Sequence, residues 1–167
     1  LSWGILLPSG VIAAKFFRTY KPPAWFRVHR AVQSTGLLIA IAGFIVAVTQ
    51  FDTSIANVPK GHGVIGTLVM LVAIGQPIGA YFRPHAAVEG DPKSRGRALF
   101  ETCHKVGGYS AIAFGVLNCF LGVSVARSIS DVAGCSWHGT VLAIFCLCLV
   151  ALAVGVASIA LGAIRIP

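Results

Sequence analysis

The residues in this chain best suited to chemistry are its histidines: His29, His62, His85, His104 and His138. Four of them, His29, His62, His104 and His138, stand at the openings of four successive apolar runs, 33, 42 and 34 residues apart. An ionisable ring among apolar helices is costly unless it has a partner. Neutral imidazole is a good ligand for haem iron. Two imidazoles from neighbouring helices can close one iron from both sides, leaving it six-coordinate, shut to oxygen and suited to electron transfer. Alternate helices run the same way, so His29 and His104 fall near one face and His62 and His138 near the other. We therefore expect two haem b groups per chain, with these four histidines as the ligands of the two irons. Cys103-His104 is not a c-type attachment site, because Phe100 stands where the upstream cysteine belongs. His85 follows Arg83-Pro84 and is read as a loop residue.

The elements that position these rings must be membrane helices. The chain has 167 residues, of which 11% are charged, against about 25% in ordinary soluble domains. Its mean hydropathy is +0.84. A net charge of +8 raises nucleic acid as a partner, but the cations sit in short segments between apolar runs, the pattern of residues flanking a membrane. We expect lipid around the chain and no nucleic acid.

Crossing the hydrocarbon core takes about 20 apolar residues. Five candidate spans meet or approach this: Leu1 to Phe17, Ala24 to Gln50, Gly61 to Phe82, Ala98 to Ala126 and Val132 to Ile164. The expected fold is an all-α, polytopic bundle in which the four later helices hold the haems. Breaks fall at Lys21-Pro22-Pro23, from Phe51-Asp52 to Pro59-Lys60-Gly61, from Arg83-Pro84 through Glu89-Gly90-Asp91-Pro92, and from Arg127 to Gly134. Sorting the cations by alternating sides puts Lys15, Arg18, Lys21, Arg27, Arg30, Arg83, Lys93, Arg95, Arg97, Lys105 and Arg165 together, against Lys60 and Arg127. The crowded side, with the 18–30 and 83–97 loops, is expected to be cytosolic, with His29 and His104 near it. Whatever precedes Leu1 then lies outside. With Met70 the only methionine, we expect residues 1–167 to be part of a longer chain.

Glycines recur at the seven-residue interval that returns to nearly the same helix face. His29, Gly36 and Gly43 form one series, and Gly108, Gly115 and Gly122 another. Such smooth faces can admit a flat porphyrin or serve helix packing, as can Gly75-x-x-x-Gly79. Five cysteines without a C-x-x-C argue against a disulfide scaffold or zinc site. Cys135, in a loop, is the one candidate for an external disulfide.

Trp25-Phe26-Arg27-Val28-His29 with Gln33 and Gly36, His62 with Ile65-Gly66, Gln76 and Arg83-Pro84, His104 with Gly107 and Tyr109, and Trp137-His138 together resemble the cytochrome b561 family. The resemblance covers nearly the whole chain. It points to the branch in which the b561 core follows an extracellular DOMON domain, which includes ferric-chelate-reductase-like proteins. It implies that residues 1–167 are a cytochrome b561 transmembrane domain, with one haem held by His29 and His104 and another by His62 and His138. It also implies an ascorbate-dependent transmembrane oxidoreductase, passing electrons from cytosolic ascorbate to an extracytosolic acceptor such as ferric chelate or monodehydroascorbate, in the plasma membrane or an endomembrane. The short ascorbate-associated motifs of the animal chromaffin-granule type are not found.

Ascorbate is an anion, so a donor site should offer positive charge beside the inner haem. Arg27, Arg30 and Lys105 flank His29 and His104, and Arg83 lies in the neighbouring loop. The same residues also satisfy the positive-inside pattern with no substrate role. On the outer side, Lys60 and Arg127 could meet propionates or an anionic chelate, and Asp52 and Asp131 a metal. Two other functions stay open: a diheme b subunit served by a quinol or a protein donor, and a non-redox anchor or sensor module. A homodimer is also compatible with the sequence.

Overall fold

In the computed structural model, residues 1–18, 24–50, 60–86, 92–133 and 138–160 are described, with side chains of 60, 127–133, 138–142 and 155–160 excepted. Among them all regular structure is helical. A π-helical turn, Ser2–Leu6, runs into α1, Leu7–Phe16; α2 is Ala24–Gln50, α3 Lys60–Tyr81, α4 Arg95–Ala133 and α5 His138–Ala160. Among the described residues three helices are long and apolar enough to cross a membrane: Ala24–Gln50, Gly61–Tyr81 and Arg95–Ala126; Ser2–Phe16 and Ala143–Val154 are shorter apolar helices. Helices are the expected form here, because lipid offers backbone N–H and C=O groups no partners and each must be satisfied within its own segment. The helices are apolar on their outer faces too: Leu38, Val46, Leu68, Leu71, Phe114 and Leu147 are all exposed. A helix apolar all round belongs in lipid or a large core.

The helices fall into two compact units, Leu1–Pro59 with Cys119–Pro167, and Lys60–Asn118. In the first, the N-terminal helix lies antiparallel on α2 through three polar staples: Ser2 Oγ donates to Gly36 O at 2.7 Å, Gln33 Nε2 to Leu7 O at 3.1 Å, and His29 Nδ1 to Gly10 O at 2.8 Å. Buried Leu7, Ala13 and Ala40 make its core. Phe145 of α5 packs on Gly4. In the second unit, α3 and the opening of α4 pack antiparallel, Gly66 against Asn118 and Gly107 against Gln76. Val69, Met70, Ala73 and Ala111 are buried there.

Several sequence expectations need correction. The fourth span was expected from Ala98 to Ala126, with a loop from Arg127 to Gly134; α4 instead runs from Arg95 to Ala133. Nothing between Arg127 and Ala133 is Gly or Pro, so the helix continues after the apolar run ends. At its other end Ser94 Oγ accepts from Arg97 N at 3.2 Å, an N-cap that starts the helix before the apolar run. His104 therefore does not open its helix; about two and a half turns precede it. Asp131 and Arg127 lie within α4 rather than a loop. The fifth span opens at His138, not Val132. Pro77 sits inside α3 without ending it, as membrane helices tolerate. The expectations on Lys21, Asp52, Cys135, Trp137 and Arg165 lie outside the described residues, as do the breaks at 51–59 and 87–91.

Of the two uses open to the glycine faces, a porphyrin or helix packing, Gly36 serves packing against the N-terminal helix: a Cβ there would lie 2.9 Å from Leu7 Cδ2 and 3.2 Å from Leu6 Cβ. Gly36→Leu is accordingly expected to cost about 1–3 kcal/mol by overpacking, read as a lower unfolding midpoint in detergent. A midpoint equal to that of the unsubstituted chain would contradict this packing.

Candidate functional site

His29, in the second turn of α2, is half-buried. Its Nδ1 donates to Gly10 O of α1 at 2.8 Å. Gln33, one turn further along α2, covers Gly10 and donates to Leu7 O. The carbonyl can only accept, so the proton of the neutral ring sits on Nδ1 and Nε2 keeps its lone pair. His62, at the opening of α3, has the same arrangement: its Nδ1 donates to Asn118 O of α4 at 3.1 Å. A Cβ on Gly66, one turn from His62, would lie 2.9 Å from Asn118 Nδ2, so the glycine is what lets the two helices approach. Donation of one ring nitrogen to a carbonyl is the usual way a protein orients a histidine that binds metal through the other.

His104 is half-buried on α4. The ring of Phe100 stacks on it, with centroids 5.4 Å apart and planes at 28°. The hydrogen bond from His62 places that ring at the level of Asn118. Asn118 is 14 residues along α4 from His104, a rise of about 21 Å. His62 and His104 therefore cannot share one metal ion. Each of these two levels also carries one buried amide oxygen without a partner among the described residues. Asn118 Oδ1 lies at the level of His62, and Gln76 Oε1 lies at that of His104, beside Gly107 and Gly108.

His138 is the first residue of α5, and its side chain lies outside the described ones. Of the expected substrate-site cations, Arg27, Arg30, Arg83 and Lys105 are exposed. Arg97 is tied down, its Nε donating to Glu101 at 2.9 Å and its Nη1 to Pro84 O at 2.9 Å. His85 is exposed in the irregular stretch after α3. Gly43 stands clear of any described side chain, as do Gly75 and Gly79, so the Gly75-x-x-x-Gly79 motif has no packing partner among the described residues. Sequence reasoning missed the carbonyls that receive the two Nδ1–H groups, since a backbone acceptor leaves no mark in the sequence. It also passed over Phe100 as a neighbour of His104, although the four-residue spacing on a helix was a signal.

Apolar helices of spanning length, exposing apolar side chains on their outer faces, define an all-helical integral membrane protein. The family model for eukaryotic cytochrome b561 matches residues 5–130, and the chain belongs to that family, whose members are membrane electron-transfer proteins that bind haem b. Among curated relatives, it is 32% identical over 123 residues to a cytochrome b561, DM13 and DOMON domain-containing protein of Arabidopsis thaliana, covering 74% of this chain and 13% of that one. A cytochrome b561 and DOMON domain-containing protein of the same plant is 30% identical over 129 residues, 76% of this chain and 30% of the relative. A Xenopus laevis relative named as a candidate ferric-chelate reductase 1 is 26% identical over 132 residues, 75% of this chain and 21% of the relative. The matched part thus spans a third or less of each of these relatives. The expected DOMON-associated branch of the family is the one these relatives represent. No solved structure matches the chain.

The donor set suits haem b. At His29 and His62 a carbonyl orients the ring and Nε2 keeps its lone pair, as a metal ligand requires, and the amide oxygens of Gln76 and Asn118 sit where another polar group or water would complete their bonding. Gly66→Val should push Asn118 away and loosen His62, so it should lower both the haem retained per chain and the unfolding midpoint. Gly75→Val, whose Cβ meets nothing described, should leave both near their original values. Equal behaviour of the two variants in a haem assay would contradict the proposed role of the Gly66 contact.

Proposed function

We propose that this chain is a cytochrome b561 transmembrane domain that carries electrons from cytosolic ascorbate to an acceptor on the far side through two haem b groups. His29 and His104 would hold the haem near the cytosolic face, and His62 and His138 the one near the other. The observation that carries this reading is the pair of Nδ1–H donations to backbone carbonyls at His29 and His62, which leave Nε2 as a ligand. The rise of about 21 Å between the levels of His62 and His104 supports two haems rather than one. When bound, haem would supply reversible one-electron storage.

The chain's own residues do the rest. Gly10 O and Asn118 O fix two of the ring tautomers, and Phe100 stacks on a third ring. Exposed Arg27, Arg30 and Lys105 place positive charge next to the inner ligands in sequence, exposed Arg83 adds one in the stretch after α3, and these cations would draw in anionic ascorbate. Ascorbate gives up one electron and a proton and leaves as monodehydroascorbate. At the far face a ferric chelate takes one electron and becomes ferrous, or monodehydroascorbate takes one with a proton and becomes ascorbate. The ferric-chelate acceptor draws support from the name of the Xenopus laevis relative. The excess of cations in and beside the 18–30 and 83–97 segments supports a cytosolic position for both.

The test is haem content and the visible spectrum during an ascorbate titration. His29→Ala or His104→Ala should lose one haem of the two, and His62→Ala or His138→Ala the other. Four variants with unchanged haem content would overturn the ligand assignment. Two low-spin haems that ascorbate does not reduce would shift the donor to a quinol or a partner protein. A folded chain with no haem would remove the redox reading.

A further inference from the structure

Arg97, Phe100, Glu101 and His104 follow one another at the spacing that places side chains along one face of a helix. On α4 they form a continuous series of contacts. The Phe100 ring stacks on the His104 imidazole. The Arg97 guanidinium lies over the Phe100 ring, its Cζ 5.6 Å from the centroid. Arg97 is itself held twice, by Glu101 Oε1 and by Pro84 O in the stretch that follows α3. Lys93 Nζ donates to the other oxygen of Glu101 at 2.8 Å. The Arg97 and Glu101 side chains are 19% and 22% exposed, against 58% for Lys93, so the shielded part of this network is the part that touches Phe100.

His29 and His62 are oriented by giving a ring proton to another helix. On His104 an aromatic ring of its own helix, that of Phe100, is stacked. The torsion that turns a histidine ring is broad and has few steep barriers of its own, so a stacked neighbour bears directly on the plane in which the ring rests. We infer that Phe100 is a positioning residue that sets the plane of the His104 imidazole. Arg97, Glu101 and Pro84 hold Phe100 in place, and so tie that plane to the connection between α3 and α4. The inference rests on the proposed role of His104 as a haem ligand. The plane of an axial imidazole determines how it overlaps the iron orbitals, and interactions of this outer kind tune the metal without touching it.

The test uses the purified full chain with its haem, in lipid nanodiscs, and reads haem per chain and the electron paramagnetic resonance of the oxidised form. Phe100→Leu is expected to keep both haems and to move the low-spin signal of one while leaving the other unchanged. Phe100→Tyr, which retains the ring, should restore the original signal. Arg97→Gln should move the same signal as Phe100→Leu, by less. Both signals at their original positions in Phe100→Leu would overturn the inference. Should Phe100→Leu fail to hold haem, Arg97→Gln decides: a shift in one signal supports the contact series, and two unshifted signals overturn it. His104→Ala separates the two ideas. Retention of both haems in that variant defeats the ligand assignment, whereas loss of one haem there, with unshifted signals in Phe100→Leu, defeats only the positioning role.

Discussion

An imidazole inside hydrocarbon has one N–H that must be satisfied and one lone pair that must stay available if the ring is to bind iron. A side-chain acceptor would add another polar group to an apolar bundle. A helix carbonyl adds nothing, because it is present at every residue and has a second lone pair beyond the one used in its own helix. His29 and His62 both use this solution, with Gly10 O and Asn118 O. The rest of the arrangement follows from it, since a carbonyl on the flank of a helix can be reached only where two helices lie close.

Close approach explains why glycines stand where they do. Gly10 makes room for Gln33 beside the carbonyl that receives His29, and Gly66 makes room for Asn118 one turn from His62. The N-terminal helix is thus more than one further apolar helix. Its Ser2, Leu7 and Gly10 meet α2 at three successive turns, and the last of these meetings orients a proposed ligand. Each staple joins a polar side chain to a backbone carbonyl. Membrane interfaces of small residues and hydroxyl or amide side chains hold together by such close packing and hydrogen bonding, where no hydrophobic effect operates between helices.

What the sequence revealed, and what it hid, follows the same physics. Apolar runs report the thickness of the bilayer, so α2 and α3 were legible almost to the residue. A run reports nothing about where a helix ends in water, and α4 therefore extends past both ends of its apolar stretch. Ser94 was the available sign at its start. The four histidines stand out in the sequence because polar residues are scarce in such runs and their recurrence is conspicuous. The seven-residue glycine interval was legible as a face but not as a destination, and Gly36 turned out to face Leu7. The carbonyl acceptors were invisible, because only the packing of two helices selects one carbonyl among many.

α4 has a part at both levels of the second unit. It supplies His104 at one level and, 14 residues on, the carbonyl of Asn118 that orients His62 at the other. Between them the helix is unbroken and contains no proline. The separation of the two levels is therefore fixed by helical rise, about 21 Å in a hydrocarbon core of about 30 Å, rather than by loops that could adjust. A rigid spacing of this kind would suit the two proposed haems, each near one face and still within the bilayer. It also means that a change in the register of α3 against α4 by one turn would disturb both levels together, detaching His62 from Asn118 and moving Gln76 away from Gly107. The amide of Gln76 against Gly107 and that of Asn118 against Gly66 thus hold one register from two points, and the two proposed sites share a single mechanical constraint.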